Sequence, residues 1–195
     1  MTIRKGEPWG SEVRRPAGLL VVDSDAALAH VLADETPPPV AIRGGDLFRT
    51  LGSPGARDVM QRLPIDLLRV VADGRHHTAV AHVVARRGWL RGPVVAIMNV
   101  GSRGEWNVAP RAHPNDGRFD VVDVDPAMRM RERWSARRRL PTGTHLPHPA
   151  ISTSSSTRFE RRFDRPMRVE IDGITVGGVR ELVVEIDPDA GIVLA

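Results

Sequence analysis

A tight acidic turn lies in the segment APRAHPNDGRFDVVDVD, residues 109–125, of a chain that is otherwise basic. An Asp beside a Gly in such a turn can offer its carboxylate, together with nearby backbone carbonyls, to one hard cation. Mg²⁺ accepts such sparse protein ligation because it keeps several of its waters. The alternative is an ordinary hairpin in which Asn115 and Asp116 only form the turn. The residues alone leave both interpretations open.

A glycine pair offers a second kind of chemistry. Gly44 and Gly45, followed by Asp46, come directly after the short apolar run VAI at 40–42. A glycine turn between a strand and a helix can bind an anion on the N–H groups of the first helical turn. The same residues also suit a plain strand-to-helix turn. No phosphate-binding loop of the Gly-Lys-Ser/Thr type is present, since the only lysine is Lys5.

A cationic segment, RMRERWSARRRL at 129–140, predicts a helix with six Arg and one Glu between residues 129 and 139. Three interpretations stay open. The Arg side chains form a solvated face with Met130 and Trp134 toward the core, or they contact anionic lipid headgroups, or they bind nucleic-acid phosphates. Nucleic acid is the least favoured partner, because the segment lacks the aromatic platform typical of single-strand binders.

Composition limits the function classes. The 195 residues are 41% hydrophobic and 27% charged, which is typical of a soluble globular protein. There is no cysteine, so disulfides, thiolate catalysis and cysteine-based zinc sites are excluded, and a cytosolic location is favoured. No apolar run reaches the roughly 18 residues of a membrane span. The net charge of +4 comes almost entirely from Arg, as a general compositional bias would give, so it does not favour nucleic acid.

These groups must be positioned by an α+β fold in three parts. Residues 1–17 predict a loose arm, residues 18–62 a small α/β module, and residues 63–195 a larger, antiparallel β-sandwich-like domain. Asp73-Gly74 predicts a hairpin turn. Further turns are expected at Asp172-Gly173 and at 187–191. The polar stretch within 141–163 predicts a loop leading into a strand.

Several motifs resemble, in order and texture, the second domain of the bacterial diacylglycerol-kinase-like lipid kinases, a family that includes the sphingosine-kinase relatives. Two motifs upstream of that domain, GGDLFRTLGSPG and LPIDLLRV, are similar to the family's Gly-Thr-Gly-Asn-Asp-x-Ala-Arg-x-Leu-Gly segment and to the strand after it. The resemblance covers roughly residues 38–195. The motifs are GGDLFRTLGSPG, LPIDLLRV, NVGSRGEWNVAPRAHPNDGRFDVV, LPTGTHLPHPAI, VEIDGITVGG and ELVVEIDPDAGIVL.

The resemblance implies ATP-dependent phosphorylation of a lipid hydroxyl, with Asp172 as the base. It implies a structural Mg²⁺ held by the Asp116 side chain and by the backbone carbonyls of His113 and Arg118. ATP would lie near Gly44, Gly45 and Asp46. His145, in a Thr-Gly-x-His-x-x-x-Pro loop, is expected on the substrate side or as a residue that shapes the loop.

Two departures from the family pattern weigh against activity. The nucleotide motif Gly-Gly-Asp-Gly-Thr is absent, since Leu47 and Phe48 follow Gly-Gly-Asp, and Ile174 stands where the family has Glu after Asp172-Gly173. The sequence therefore predicts a shortened member that mainly retains the second domain. The alternative to an active kinase is a non-catalytic module that binds a lipid, a nucleotide or a partner chain. A partner chain could also supply the nucleotide domain, and a peripheral membrane location is an alternative to a purely cytoplasmic one.

Overall fold

The computed structural model describes residues 9–55 and 58–195. Its described residues are mostly antiparallel β-strand with a few short helices, which confirms the predicted α+β class with a β-sandwich-like part. The helices are α1 (Asp25–Leu32), α2 (Gly45–Thr50) and α3 (Met130–Arg139), with a 3₁₀ turn at Leu140–Thr142. The strands are β1 (Ser11–Arg14), β2 (Leu20–Val22), β3 (Val40–Ile42), β4 (Val59–Ala72), β5 (Arg75–Ala79), β6 (His82–Arg86), β7 (Val94–Met98), β8 (Ser102–Arg103), β9 (Trp106–Asn107), β10 (Phe119–Val124), β11 (Ile151–Ser156), β12 (Arg158–Ile171) and β13 (Ile174–Leu194).

One large sheet joins both ends of the described chain. Its main path runs β1-β4-β13-β12-β6-β7-β10-β11, with β5 paired to β4. β2 and β3 are parallel to each other, as strands joined through a helix in an α/β module are expected to be. β3 then pairs in parallel with β13, through Leu194 and Ala41. The small α/β part and the β-rich part are therefore continuous through backbone hydrogen bonds.

The strands β6, β7 and β10 are buried on both faces. Alternate residues such as Val83, Ile97 and Val121 join a core that also includes β4, β12 and β13. The residues between them, including Val84 and Ala96, pack instead against the segment that contains α3. Because side chains alternate across a strand, burial on both faces requires nearly continuous apolar runs, and β7 is the run VVAIM.

In the α/β part, a capping serine fixes the start of α1 and one buried carboxylate fixes the start of α2. Ser24 caps α1, because its Oγ accepts a hydrogen bond from Ala27 N at 3.3 Å. Asp25 follows and is 5% exposed. Its carboxylate accepts hydrogen bonds from the first N–H groups of α2, Asp46 N at 2.6 Å and Leu47 N at 3.1 Å. The start of α2 is thus fixed by a side chain from α1.

Local structure differs from the sequence-based expectation at three places. Part of the predicted arm, β1, pairs with β4. The predicted turn at 187–191 is instead a shift of register within β13, which continues from Ile174 to Leu194. The serine-rich stretch forms β11, which pairs with β10. In each case, pairing with a distant strand decides the conformation over the local residue preference.

The described part of the chain has no helix of the length and apolarity that crossing a bilayer would need. The expected orientation of the Arg-rich helix is also wrong. Met130 and Trp134 are 51% and 54% exposed, while Arg133 and Ala136 lie on the buried face of α3.

We predict that Gly45→Ala lowers the free energy of unfolding by more than about 2 kcal/mol. Gly45 has a φ of +90°, and an added Cβ would lie 2.5 Å from both carboxylate oxygens of Asp25. Gly52→Ala is the matched control, because Gly52 has a φ of +82° and nothing lies within 4 Å of an added Cβ. Backbone strain alone should cost about 1 kcal/mol. Urea denaturation measures the free energy of unfolding of both variants. Equal decreases for Gly45→Ala and Gly52→Ala would show that the contact with Asp25 is unimportant.

Candidate functional site

The carboxylate of Asp172 lies in the sharp turn between β12 and β13, where its φ is +45°. It is 9% exposed. Oδ2 accepts a hydrogen bond from Val80 N at 2.8 Å, and Oδ1 accepts from Ala81 N at 3.0 Å and His82 N at 2.9 Å. Burial raises the pKa of Asp172, while the neighbouring His82 and these N–H groups act to lower it. The predicted base is therefore bound to three backbone donors.

His82 joins Asp172 to the glycine turn. Its backbone N–H binds Asp172, and its side-chain Nε2 lies 3.0 Å from Oδ2 of Asp46. The other oxygen of Asp46 accepts a hydrogen bond from Gly104 N at 2.7 Å. Burial acts to raise the pKa of Asp46, but the hydrogen bonds from His82 and Gly104 bring it below its ordinary value. The structure thus brings together Asp172 and Asp46, two residues that the sequence predicted for one site.

Asp25 adds a third carboxylate to this buried network, and sequence reasoning missed it. Burial raises its pKa to about 6, with further raising by the nearby charges of Asp172 and Asp46, and the N–H groups of Asp46 and Leu47 act in the opposite direction. The N–H groups that a phosphate would need at the start of α2 are hydrogen-bonded to Asp25. Gly44, Gly45 and Asp46 therefore do not fit a phosphate group in this arrangement.

The acidic turn lies at a second place, around the fully buried Asp66 of β4. Its Oδ2 accepts a hydrogen bond from Gly117 N at 2.7 Å and its Oδ1 accepts from Asp189 N at 2.9 Å. Asn115 Nδ2 donates to Asp189 Oδ1 at 2.9 Å. Asp66 was not predicted as part of this site. It connects the turn to β4 and β13. The strands before and after the turn pair elsewhere, β9 with β8 and β10 with β7 and β11, so the turn is a joint between strands and not the ordinary hairpin of the alternative interpretation.

Asp116 is the residue of this turn that could bind a cation. It is half-buried, its Oδ1 accepts a hydrogen bond from Arg118 N at 3.0 Å, and burial raises its pKa. Its charge in turn helps to raise the pKa of Asp66 and of Asp120. Burial lowers the pKa of His113, whose ring stacks edge-on against Trp9 at 4.7 Å. A carboxylate among other carboxylates fits one hard cation, although the described residues contain no cluster of three or more His, Asp or Glu side chains placed to hold a metal.

A third place contains His145 and an apolar cavity of about 100 Å³ beneath α3, which we call the α3 cavity. Its lining includes Val84, Trp89, Trp106, Val122, Met128 and Ala136. His145 is 3% exposed, and its Nε2 lies 3.2 Å from the carbonyl oxygen of Val108, which follows β9 and is distant in sequence. Burial lowers the pKa of His145, so its ring is neutral at pH 7.

Arginines and tryptophans alternate beside this cavity. The Trp89 and Trp106 rings meet edge to face at 5.5 Å. Arg103 lies over both rings, at 5.2 Å and 6.0 Å from their centroids, and Arg137 lies 5.2 Å from that of Trp106. Arg103 and Trp106 also border a shallow cleft lined by Asp46, His82 and Gly173. The α3 cavity and the network around Asp172 are thus neighbours.

The chain belongs to the family described as the YegS C-terminal NAD kinase beta sandwich-like domain, whose family model matches residues 59–195. This confirms the resemblance to diacylglycerol-kinase-like proteins found in the sequence. Two solved structures are similar in fold. A candidate diacylglycerol kinase from Bacillus anthracis str. Sterne matches with a TM-score of 0.64 at 12% identity, over 90% of this chain and 77% of that chain. A second structure of a diacylglycerol kinase from the same organism matches with a TM-score of 0.63 at 13% identity, over 90% and 75% of the two chains. A comparison with curated protein sequences gives no match.

We predict that Asp25 makes stability depend on pH. A carboxyl with a pKa of about 6 in the folded protein and 3.8 in the unfolded chain binds its proton more tightly when folded. Its contribution is therefore full below pH 3.8 and is lost as pH rises to about 6. Between pH 3.8 and about pH 6, the free energy of unfolding of the wild type should fall by up to about 3 kcal/mol relative to that of Asp25→Asn. Urea denaturation at several pH values measures this, and parallel curves for the two proteins would contradict it.

Proposed function

We propose that this chain is a non-catalytic, ligand-binding member of the lipid-kinase-like family, which takes the apolar part of a lipid-like molecule into the α3 cavity. The observation that carries the proposal is the cavity itself, lined by apolar side chains and two tryptophans and bordered by Arg103 and Arg137. Each methylene group moved from water into such a lining contributes about 0.8 kcal/mol.

The arrangement of Asp172 supports the absence of phosphoryl transfer by the isolated chain. A general base must bring a free oxygen within hydrogen-bond reach of the substrate hydroxyl. Both oxygens of Asp172 already accept backbone N–H groups, and the residue is 9% exposed. Ile174, which stands where the family has Glu, is 59% exposed and offers no ligand for Mg²⁺.

ATP binding is disfavoured for a related reason. The first N–H groups of α2 are bound to Asp25, and Asp46 is bound to His82 and Gly104 N. A phosphate at this place would have to displace one carboxylate and lie close to another. A partner chain that supplies a nucleotide domain stays a prediction from the sequence, and it would place ATP elsewhere.

We also propose a structural Mg²⁺ at Asp116, with the backbone carbonyls of His113 and Arg118 as further ligands. Burial raises the pKa of Asp66 and Asp120, and the charge of Asp116 raises both further, so a cation at Asp116 would relieve that repulsion. The ion would stabilise the joint between β4, β10 and β13 and take no part in a reaction.

A position at the surface of an anionic membrane, on the cytoplasmic side, fits the same face. Leu90, which lines the cavity, is 39% exposed, and Met130 and Trp134 on α3 are 51% and 54% exposed. The exposed arginines of α3 add positive charge around them. Amphiphiles would be taken up there, since apolar residues flanked by Arg are typical of surfaces that contact lipid headgroups. Nucleic acid remains the weaker alternative.

We predict that the purified chain binds ten-carbon amphiphiles and that Ala136→Phe weakens this binding at least about tenfold. Ala136 lines the α3 cavity, so a larger ring would fill it. Tryptophan fluorescence and calorimetry measure the affinity, because Trp89 and Trp106 line the same cavity. The same calorimetry with ATP·Mg²⁺ should show no binding.

Ser135→Phe is the matched control, since Ser135 is exposed on the same helix. It should bind as the wild type does. Failure of both decanoate and decanol to bind the wild type would refute the proposed function. Saturable ATP binding, or transfer of phosphate to an alcohol that is lost in Asp172→Ala, would replace it with the catalytic hypothesis.

For the cation, we predict that millimolar Mg²⁺ raises the melting temperature of the wild type by a few degrees and has no effect on Asp116→Asn. A ligand that binds only the folded state stabilises it in proportion to the logarithm of its concentration. Asp164→Asn is the control, because Asp164 is an exposed carboxylate away from this turn. An equal response of Asp116→Asn and the wild type would exclude Asp116 as the ligand.

A further inference from the structure

Arg133 is a buried cation in the wall of an otherwise apolar cavity. It lies on the inner face of α3, is 5% exposed and lines the α3 cavity. Its Nε donates to the carbonyl oxygen of Met128 at 3.1 Å. Its Nη2 donates to the carbonyl oxygens of Gly92 at 2.6 Å and Asp125 at 2.7 Å. These three bonds fix the guanidinium on the end of α3 and on the two chain segments beside it.

The third nitrogen of this guanidinium, Nη1, is buried and has no hydrogen-bond partner within residues 9–55 and 58–195. Arg133 also forms no ion pair with a carboxylate in that part of the chain. A buried guanidinium without a matching anion is costly, and an N–H group left without an acceptor adds to that cost. Burial accordingly acts to lower the pKa of Arg133, opposed by the charge of Asp125.

Two further polar residues in the wall of this cavity, Arg103 and His145, have a buried atom without a partner among the described residues. Arg103 is already paired with an anion, because its Nη2 donates to Glu170 Oε2 at 2.6 Å. His145 is the remaining one. Its Nδ1 has no partner among the described residues, while Nε2 lies at the carbonyl oxygen of Val108. A neutral ring that donates from Nε2 to that carbonyl leaves Nδ1 as an acceptor. His145 therefore does not attract an anion. Arg103 already has one in Glu170 and Arg137 is exposed, so Arg133 is the buried cation of the wall that would attract a ligand anion.

On the basis of the proposed function, we propose that the ligand of the α3 cavity is an amphiphile with a carboxylate, which enters with its carboxylate inward against Arg133. A carboxylate oxygen of the ligand would accept a hydrogen bond from Nη1 of Arg133. The same contact would give the buried guanidinium an anionic partner. A charge-assisted hydrogen bond of this kind is about twice as strong as a neutral one. The apolar chain would follow between Trp89, Trp106 and Met128 toward the surface.

The dimensions favour this orientation and this class of ligand. A dry cavity of roughly 150 Å³ holds one benzene molecule. The α3 cavity, at about 100 Å³, therefore has room for a carboxyl group and a few carbons, and the rest of a chain must leave through the mouth beside Leu90 and Arg137. A phosphate monoester carries more charge and more oxygens than one free guanidinium nitrogen can satisfy, so a carboxylate fits better.

The test compares decanoate, methyl decanoate, decanol and decyl phosphate on the purified chain, each below its micelle concentration, by calorimetry. Decanoate should bind at least about tenfold more tightly than each of the other three, since a hydrogen bond to a charged group is worth about that factor. Equal binding of the alcohol or the ester overturns the inference but leaves the proposed function standing. Tighter binding of decyl phosphate also overturns it. No binding by any of the four refutes the proposed function itself.

The matched variants are Arg133→Met, which removes the buried charge, and Arg138→Met, which removes an exposed charge of the same helix outside the cavity lining. Arg133→Met should bind all four ligands with similar affinity, whereas Arg138→Met should keep the preference for decanoate. A preserved preference in folded Arg133→Met overturns the inference. Should Arg133→Met fail to fold, ¹³C-carboxyl-labelled decanoate bound to the wild type decides. Its carboxyl pKa should fall below the value in solution, and an unchanged or raised value overturns the assignment.

Discussion

The carboxylate of Asp172 ties together parts of the molecule that the chain order keeps far apart. It sits in the turn between β12 and β13 and receives the N–H groups of residues 80–82, at the start of β6. Through His82, the same contact reaches Asp46 and the start of α2, and Asp25 then connects α2 to α1. Each of these groups is buried, so the loss of one partner would leave another without its hydrogen bond. The position of the α/β part against the large sheet depends on this chain of contacts.

In the proposed function, the buried network and the ligand-binding cavity lie on different sides of the same strands. The residues that the family resemblance assigns to nucleotide and base lie in the interior network, where Asp46 and Asp172 both bind His82 and otherwise Asp25 and the backbone. The other side of β6, β7 and β10 is different, because α3 covers the sheet incompletely and leaves an apolar cavity. On the proposed function, the protein has kept the lipid-facing half of the fold and uses the other half as support.

Much of the architecture could be predicted from local signals. The Asp73-Gly74 hairpin and the apolar run of β3 both act over a few residues, and the structure has them where the sequence indicated. Residues 187–191 are typical of a turn in the sequence, but the structure has a register shift there within a continuous β13. Gly191 lies against Ile65 and Leu32, and pairing with β4 keeps the strand continuous. Arg133 was missed for the same kind of reason. Its acceptors are carbonyls of Gly92, Asp125 and Met128, and a helical pattern of six arginines does not indicate which one meets them.

The long strand β13 also bears on how the protein comes to fold. It pairs with β4 from Leu182 opposite Ala72 to Leu194 opposite Arg62, and with β3 through Ala41. During synthesis, β4 therefore lacks its partner strand until β13, more than one hundred residues later, has left the ribosome. Leu63 and Ile65 are not covered by β13 during that time. Pairings of such high sequence separation form slowly and expose strand edges in the meantime. The order in which the strands are synthesised therefore leaves apolar surface exposed for longer than pairing between neighbouring strands would.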